Sequence, residues 1–529
     1  MRLIVPQPTL PTPAKPNIIS RDTPLITARV FHAQRHPNMV RYQNDWLDWD
    51  GAAYQMIEDK EIAAEIMRFL DKCKANVAYE VTDAAGNVST KYKPAVFNPK
   101  DADVQQVLRM LEHNYHVKEG AMVPPFWLDG GKGVYEKLDP ANLISCQNGL
   151  LDMTTRKLYP ATPKFFTRTA LDAKYDPAAT CPQFLTFLFQ VLDDEDLIRL
   201  MRQWFGYLIT SDISIQSLLY MQGVPRSGKG TTARVIDALV GKRNVCSHTI
   251  NDLAGNFGRE GLIGKSLLKF TDMNTGVSWI ALNQAVSIVN AITGQDPLHI
   301  ERKFKGPLEL DLIAHVIFIG NTYPDFGEHT AAIGERMKVI PFRRSFSVDE
   351  RDPTLSKKLL TELSGILNFA LDGLDDLRKS GDKFLICEKS EEAKRQILNS
   401  GNSVRAFGND ECELGSGFMI TREGLFDLYV PYCYRIKANP LSANKFYTAL
   451  KEAFPSVDET RPWVEGAERP RFFVGIRARE IGPPTTITKT FFLDVEAMAI
   501  NAMTDDNNEP VILIDPITFE EVEVIENEF

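Results

Sequence analysis

The stretch SLLYMQGVPRSGKGTTAR, residues 217–234, decides the fold. It opens with an apolar run, turns through a glycine-rich segment, and continues into residues that can form a helix. The spacing G-x-x-x-x-G-K is that of a phosphate-binding loop between a strand and a helix. Glycines let successive backbone N–H groups converge on a phosphate at the positive end of the helix dipole. The stretch therefore predicts an α/β fold with a phosphate-binding loop.

This loop supplies the predicted nucleotide contacts, which are Gly223, Val224, Pro225, Arg226, Ser227, Gly228, Lys229, Gly230 and Thr231. Lys229 is expected to reach the β- and γ-phosphates of ATP. Gly230 stands where the motif usually has Ser or Thr, so the hydroxyl expected to bind Mg²⁺ comes one residue later, at Thr231. A chance glycine loop is the alternative, and the flanking strand and helix patterns weigh against it.

Composition limits the class of protein. With 529 residues the chain is long enough for several domains. Its hydrophobic content of 44% and charged content of 25% are ordinary for a soluble globular protein. The net charge is −10, so bulk charge predicts no nucleic-acid partner, and a DNA contact would need a local basic surface.

The cysteines and the apolar segments exclude further classes. Seven cysteines are scattered without a C-x-x-C pair or a Cys/His cluster, which predicts neither a zinc site nor a disulfide framework. No long uncharged apolar segment and no signal-peptide pattern is present, so we expect a cytoplasmic protein without a membrane partner.

Seven regions are expected along the chain. They are a flexible proline-rich tail (1–26), a small α+β N-terminal domain (27–140), a hairpin lead-in with a helical collar (141–210), an ATPase core with a parallel sheet and a helical lid (211–385), a linker (386–409), a winged-helix-like domain (410–485) and an acidic tail (486–529). Asp101 and Asp103 in the second region have a D-x-D spacing, but they open a helix, where acids favour the dipole. We interpret them as helix-start residues and expect no primase activity in this chain.

Three further motifs follow the phosphate loop. Asp272 ends an apolar run, and a strand that ends in Asp beside such a loop can hold Mg²⁺. Asn321 follows the apolar run 312–319, at the strand end where ligands bind in open α/β sheets. Arg336 stands just before another apolar run. The alternatives are a turn residue for Asn321 and a surface ion pair for Arg336.

A short basic segment lies between Asp272 and Asn321. It consists of Arg302, Lys303, Phe304 and Lys305. Cations beside an aromatic ring suit backbone phosphates and base stacking, so the segment is a candidate DNA contact. A solvated charged turn is the alternative.

In this order the motifs resemble the superfamily 3 helicases, which belong to the AAA+ class of ring ATPases. The resemblance rests on the phosphate loop, Asp272, TGQDPLHIERKFK (293–305), Asn321 and GERMKVIPF (334–342). Closer still, the chain resembles the helicase part of phage and plasmid primase-helicases of the satellite-phage and poxvirus type. The resemblance covers most of the chain beyond about residue 45.

The resemblance implies a role for each motif. Lys229 would bind the β/γ-phosphates, Asp272 would hold the metal, Asn321 would orient the attacking water, and Arg336 would act on the ATP of a neighbouring subunit. Residues 302–305 lie where the family has a hairpin that grips single-stranded DNA.

One departure from the family pattern lies at the second motif. Many relatives carry two adjacent acids there, whereas this chain has Thr271, Asp272 and Met273. Which group polarises the attacking water therefore stays open.

The resemblance implies an ATP- and Mg²⁺-dependent DNA helicase that forms a homo-hexamer or similar ring. It would act on single-stranded and forked DNA, move 3′ to 5′, and serve the replication of a phage or mobile element in the cytoplasm of a bacterial host. A separate primase or polymerase would be its partner. An origin-binding initiator or loader, whose ATPase drives assembly and melting, is the main alternative. A small-molecule kinase, suggested by GKGT, is disfavoured by the later motifs.

The region after about residue 410 has two helical segments, 422–436 and 443–454, followed by a basic hairpin near 461–479. Helix, turn, helix and hairpin is an arrangement that binds duplex DNA. Pro431 is expected to kink or shorten the first helix, and Ser442 to cap the second. Because several acids share the segment, a winged helix that only contacts protein is the alternative. The acidic residues 505–529 predict either a hairpin or a partner-binding tail.

Overall fold

A computed structural model divides the chain into two compact units, residues 1–398 and 399–529. It describes residues 17–117, 123–271, 279–303, 305–321, 330–401, 403–436, 440–461, 471–479, 513–514 and 521–522. The first unit contains a mixed α/β N-terminal region, a collar and a parallel sheet. The second unit is a smaller α+β domain.

The N-terminal region alternates short strands with three helices. In chain order its elements are β1 (Ile18–Ile19), α1 (Pro24–Arg35), β2 (Val40–Tyr42), β3 (Asp45–Trp49), β4 (Tyr54–Ile57), α2 (Asp59–Asp71), β5 (Lys74–Thr82), β6 (Val88–Val96), α3 (Asp101–Tyr115) and β7 (Phe126–Trp127). Strands β2, β3 and β4 form an antiparallel sheet, and β5 pairs with β6 and, in parallel, with β1.

Folded structure begins earlier in the chain than the sequence predicts. Strand β1 and the first turn of α1 both lie inside the predicted tail 1–26. Pro24 does not interrupt α1, because it occupies the first turn, where a missing N–H costs nothing. The predicted role of Asp103 is confirmed: its carboxylate accepts from the Lys100 backbone N–H at the start of α3 and pairs with Arg21.

His36 joins three elements of the N-terminal region. It follows α1, and its Nδ1 lies 2.8 Å from Asp48 Oδ2 on β3 while its Nε2 lies 2.8 Å from Glu65 Oε2 on α2. Burial lowers the pKa of His36, but the hydrogen bonds and charges of the two carboxylates outweigh it, so the pKa is raised overall. The charged imidazole therefore stabilises this region.

The next segment forms the predicted hairpins and two collar helices. Its elements are β8 (Leu143–Cys146), β9 (Gly149–Asp152), β10 (Leu158–Tyr159), β11 (Phe165–Phe166), α4 (Pro182–Leu192) and α5 (Glu195–Leu208). The two helices are separated at Asp193, which has left-handed backbone, and Asp194 caps α5 through the Leu197 N–H.

A five-stranded sheet forms the centre of the first unit. The remaining elements of this unit are β12 (Leu218–Gly223), α6 (Lys229–Val240), β13 (Val245–His248), α7 (Ile250–Ala254), β14 (Leu267–Phe270), α8 (Trp279–Gly294), β15 (Leu298–Ile300), β16 (Leu308–Leu310), β17 (His315–Gly320), α9 (Thr330–Arg336), β18 (Met337–Phe342), α10 (Leu355–Thr361), α11 (Leu363–Lys379) and α12 (Glu388–Gly401). The strand order is β13-β14-β17-β12-β18, and all neighbours are parallel. The expected parallel sheet is therefore present.

Both faces of this sheet are buried. Leu219 and Met221 of β12 face a core shared with α4, α5, α6 and α11. Leu218 and Tyr220, on the opposite face, belong to a core built with α7, α8 and α9. Side chains alternate along a strand, so an almost wholly apolar strand such as β12 needs a core on each side.

Two glycines bring α5 and α11 into backbone contact. A Cβ on Gly373 would lie 1.8 Å from Arg202 O, and one on Gly206 would lie 2.2 Å from Leu374 N. Beside this crossing, the Arg199 guanidinium binds both carboxylate oxygens of Asp376, at 2.7 and 2.9 Å. The collar and the helix expected to form the lid therefore pack as closely as main chains allow.

The segment expected to form the helical lid contains two helices, α10 and α11. They meet at Glu362, whose carboxylate accepts from the N–H groups of Gln183 and Phe184 at the start of α4. The expected linker 386–409 consists largely of helix, because Ala393 and Ile397 of α12 pack into the core of the first unit.

In its described residues the second unit has the order helix, strand, helix, helix and four strands. Its elements are α13 (Ser403–Glu411), β19 (Cys412–Thr421), α14 (Arg422–Arg435), α15 (Ala443–Ala453), β20 (Asp458–Thr460), β21 (Phe472–Ala478), β22 (Leu513–Ile514) and β23 (Glu521–Val522). The antiparallel sheet has the order β19-β21-β20. In the acidic segment β22 pairs with β23, which agrees with the hairpin, one of the two structures expected there. Pro431 does not end α14, which continues to Arg435.

None of the helices in the described part of the chain is both long and apolar enough to span a membrane.

We expect the stabilising contribution of His36 to fade as pH rises. Its folded pKa lies above the unfolded value of about 6.5, so the contribution is complete below that pH and is lost as pH passes the folded pKa. Thermal unfolding of the whole chain should show a larger gap between wild type and His36→Gln at pH 6 than at pH 8.5. The exposed His113→Gln is the control for loss of an imidazole that lacks these two carboxylate partners. A gap that widens with pH would contradict the assignment.

We expect Gly373→Ala to destabilise the first unit. A methyl group there meets the Arg202 carbonyl, and overpacking of this kind lowers the free energy of unfolding by about 1–3 kcal/mol. Asp372→Ala, one residue away with an exposed side chain, should change it by less than about 0.5 kcal/mol. Denaturant unfolding followed by the fluorescence of the buried Trp204 on α5 measures both variants. Equal stability of the two would contradict the close crossing.

Candidate nucleotide-binding cleft

The phosphate loop joins the carboxyl end of β12 to the start of α6. Gly228 precedes α6 with φ of 97°, and a Cβ there would lie 2.6 Å from Val191 Cγ1 of α4. Only glycine fits this position, since both the backbone angle and the space exclude a side chain. The loop is also held from the far side, where the N–H of Phe346 donates to Arg226 O and the hydroxyl of Ser345 to Pro225 O.

Lys229 is enclosed by the loop that precedes it. Its Nζ donates to the carbonyl oxygens of Gly223 and Val224, both at 2.7 Å, and to Ser227 Oγ at 3.1 Å. Burial lowers the pKa of the Lys229 amine. The ammonium group therefore lies in the curve of the loop, where a phosphate could replace these acceptors.

A cleft of about 1300 Å³ opens beside the loop. One wall is the face of α4 that carries Gln183, Phe187 and Gln190, and another is formed by α10 and the segment that precedes it. The strand ends Thr271 and Asn321 lie at its floor. The predicted position of Asn321, at the carboxyl edge of the sheet beside the loop, is thus the observed one.

The cleft is basic, although the chain is acidic. Among the described residues that line it, five are basic and two are acidic: Arg226, Lys229, Arg234, Arg351 and Lys358 against Glu350 and Asp352. The chain as a whole carries −10. This local excess of positive charge suits a polyphosphate ligand.

Sequence reasoning overlooked three of these cations. Arg234 follows the loop by one helical turn, and its guanidinium donates to Thr231 Oγ1 at 3.1 Å and Ser356 Oγ at 3.0 Å. Arg351 donates to the carbonyl of Phe346, and Lys358 pairs with Asp352 at 2.7 Å. Arg234 could have been identified from its distance to Lys229, but the other two come from a segment over 120 residues away in the chain.

The two predicted metal ligands, Thr231 and Asp272, lie only partly within the described residues. Thr231 Oγ1 faces the cleft and accepts from Arg234, which leaves a lone pair for a cation, and hydroxyl oxygen is a suitable Mg²⁺ ligand. Asp272 lies outside the described residues, directly after Thr271. Within the described ranges no three His, Cys, Asp or Glu side chains gather as a metal site. The donors present fit a metal that is held jointly with a nucleotide.

Arg336 lies at the end of α9 and is bound to the end of α8. Its Nη1 donates to Asn290 O and Oδ1, both at 3.1 Å, and to Thr293 Oγ1 at 3.2 Å. Arg336 is absent from the described lining of its own chain's cleft. The structure therefore brings together Lys229, Thr231 and Asn321 and leaves Arg336 elsewhere.

The predicted DNA contact lies at the tip of the β15–β16 hairpin and differs from the expectation. Arg302 is buried, and its Nη2 lies 2.5 Å from Asp45 Oδ1, so its guanidinium is enclosed instead of presented to solvent. Lys305 Nζ reaches the same oxygen at 2.9 Å. Lys303 is exposed at the tip, while Phe304 lies outside the described residues.

Two known protein families match segments of the first unit. Residues 28–193 match the family described as "D5 N terminal like", and residues 221–336 match a family of unknown function (DUF5906). The second match begins in the strand before the phosphate loop and ends at Arg336.

Two relatives share part of their sequence with this chain. The "Putative helicase 184R" of Invertebrate iridescent virus 6 is 23% identical over 299 residues, which are 51% of this chain and 30% of that protein. The "Uncharacterized mitochondrial protein ymf21" of Marchantia polymorpha is 29% identical over 131 residues, 22% of this chain and 73% of that protein. The chain thus spans about a third of the length of the viral relative.

Solved structures of the NrS-1 C terminal region are also similar. One apo structure has 13% identity and a TM-score of 0.39, with 76% of this chain and 94% of that chain covered. A second has 12% identity and a TM-score of 0.43, with coverages of 85% and 99%.

We expect Gly228→Ala to weaken ATP binding by at least about tenfold, or about 1.4 kcal/mol, because the methyl group meets Val191 and distorts the loop. Gly230→Ala is the matched control, since a Cβ there meets only Arg234 Nη1, at 3.6 Å. Fluorescence titration with a labelled ATP analogue measures both. Similar affinities for the two variants would show that loop geometry does not determine binding.

Proposed function

We propose that the chain is an ATP-driven DNA helicase of the superfamily 3 type within the AAA+ class, and that it works as a homo-hexamer or similar ring. The observation that carries the proposal is the phosphate loop, with Lys229 enclosed by its carbonyl oxygens, at the mouth of a basic cleft. The similarity to a viral protein described as a putative helicase supports the same activity.

The arrangement of strands supports the ATPase part of the proposal. Strand β12 lies between β17 and β18, so the loop leaves the sheet where chain connections run to both sides. Ligands of open α/β sheets bind at such a switch point, outside the carboxyl ends of the strands. Asn321 reaches this edge from β17.

Each residue then has a proposed part in ATP hydrolysis. Lys229 leaves its carbonyl acceptors and binds the β/γ-phosphates, while Asn321 orients the attacking water. Thr231 and Asp272 would hold Mg²⁺, which would supply positive charge at the phosphates. Arg336 of one subunit stabilises the transition state in the cleft of its neighbour, which fits its position away from the cleft of its own chain.

The second unit supports a winged-helix assignment. Its element order and its sheet order β19-β21-β20 place a β-hairpin after two helices. Its arginines are largely paired, however: Arg422 lies 2.6 Å from Glu459, and Arg477 lies 2.9 Å from Glu413. We propose that this unit contacts protein, either another subunit or a separate primase or polymerase.

We expect ATP-dependent displacement of a strand from forked DNA, with 3′ to 5′ polarity. Lys229→Ala and Arg336→Ala should each abolish it, and loss of an arginine in trans lowers hydrolysis by about 10³-fold or more. Arg343→Ala, which removes an exposed ion pair with Glu392, is the control and should retain activity. Gel-based displacement and phosphate release are measured together.

Mixing the two inactive variants tests the ring. A Lys229→Ala subunit supplies Arg336 to the intact loop of an Arg336→Ala neighbour, so the mixture should recover hydrolysis that neither variant has alone. If no activity returns, Arg336 does not act in trans. If the wild type hydrolyses ATP and displaces no strand, the helicase proposal fails, and site-specific duplex binding would then support an initiator.

A further inference from the structure

Two hairpin tips face each other in the first unit. Gln43 and Asn44 form the two-residue turn between β2 and β3, both with positive φ, and Asp45 follows directly. Opposite lies the tip of the β15–β16 hairpin, which is described at residues 301–303 and 305–307. Arg302 donates to Asp45 Oδ1 and, through Nη1, to the carbonyl of Gln43 at 3.4 Å.

Asp45 binds both flanks of the opposite tip. Arg302 and Lys305 stand three residues apart, and both reach the same carboxylate oxygen, at 2.5 and 2.9 Å. Burial raises the pKa of Asp45, but the hydrogen bonds from Lys305 and Arg302 outweigh it and the pKa is lowered. The carboxylate is therefore charged when it holds the tip.

The ion pair between Asp45 and Arg302 is almost fully enclosed. The side chains of Asp45 and Arg302 are 1% and 3% exposed. Separating them would leave a buried charge without its counter-charge, which is strongly unfavourable. The ion pair is thus a constant part of the fold and is unsuited to breaking and re-forming in each cycle of ATP hydrolysis.

A second acid holds the main chain of the tip. Glu260 accepts from the backbone N–H of Lys303 at 3.1 Å. Asp45 and Glu260 together fix residues 302, 303 and 305, with Lys303 exposed between the two residues that Asp45 binds. These two acids hold the tip, and the Lys303 side chain is exposed to solvent.

We propose that Asp45, in the N-terminal region, is a positioning residue that sets the direction of the β15–β16 hairpin toward single-stranded DNA. This inference rests on the proposed helicase function and on the prediction from the sequence that residues 302–305 contact DNA. Asp45 itself touches no DNA and acts through Arg302 and Lys305. The N-terminal region thereby contributes to the motor's grip on its substrate.

The direction in which one substitution changes the affinity for single-stranded DNA distinguishes a positioning role from simple electrostatic repulsion. Asp45→Asn removes a negative charge close to the hairpin, so charge alone would tighten binding to phosphates. A positioning role predicts weaker binding instead, because the substitution removes the carboxylate that holds Arg302 and Lys305. We expect the dissociation constant for a single-stranded oligonucleotide to rise at least tenfold, while DNA-free ATP hydrolysis stays within twofold of wild type.

Three further variants complete the experiment. Asp45→Glu keeps the charge and should bind DNA more tightly than Asp45→Asn. Glu309→Gln removes an exposed acid from the same hairpin and should leave DNA affinity unchanged or slightly improved. Should Asp45→Asn lower the unfolding temperature, the double variant Asp45→Leu with Arg302→Leu removes the buried charges together, and we expect it to fold and still bind DNA weakly.

The outcomes distinguish failure of the positioning role of Asp45 from failure of the proposed helicase function. Wild-type or tighter DNA binding by Asp45→Asn, or by the folded double variant, overturns the positioning role and leaves the helicase proposal intact. A wild-type protein that neither binds single-stranded DNA nor shows DNA-stimulated hydrolysis overturns both.

Discussion

The central constraint is the position of β12. Its backbone bonds to β17 on one side and β18 on the other, and its side chains are buried on both faces. The chain can therefore leave β12 only at the carboxyl edge of the sheet, where the ends of both neighbours also lie. At that edge a Cβ on Gly223 would come within 2.1 Å of Phe342 O, so the first residue of the loop must be glycine. The loop, the cleft and the position of Asn321 all follow from this arrangement.

The features of the fold that could be predicted are those indicated by patterns within a few neighbouring residues. The phosphate loop and the strands of the sheet could be predicted, because glycine spacing and continuous apolar runs act within a few residues. Helix α12 was misread as a linker because most of its residues are polar and only a few, such as Ala393 and Ile397, meet the core. The contact of Asp45 with Arg302 joins residues 257 positions apart, and nothing in either neighbourhood indicates the other.

Charge is the property that the sequence describes least well. Arg302 and Arg477 belong to basic segments that were predicted to contact DNA, and Arg422 begins the first helix of the predicted winged helix. Each of the three is paired with an acid within its own unit. The cleft shows the reverse, since cations from two separate segments, 226–234 and 351–358, gather there in a chain with an excess of acids. A count of charges along the chain cannot separate these two cases, because pairing is decided by the fold.

The crossing of α5 and α11 has a mechanical consequence. Because Gly206 and Gly373 bring the two main chains into contact, and Arg199 bridges to Asp376 beside them, the helices have no freedom to slide or tilt against each other. They form one rigid lever that is tied to α4, a wall of the cleft, through Glu362. The wall of the cleft that α4 forms is therefore braced by this pair of helices, and a change in the shape of the cleft cannot come from movement between α5 and α11.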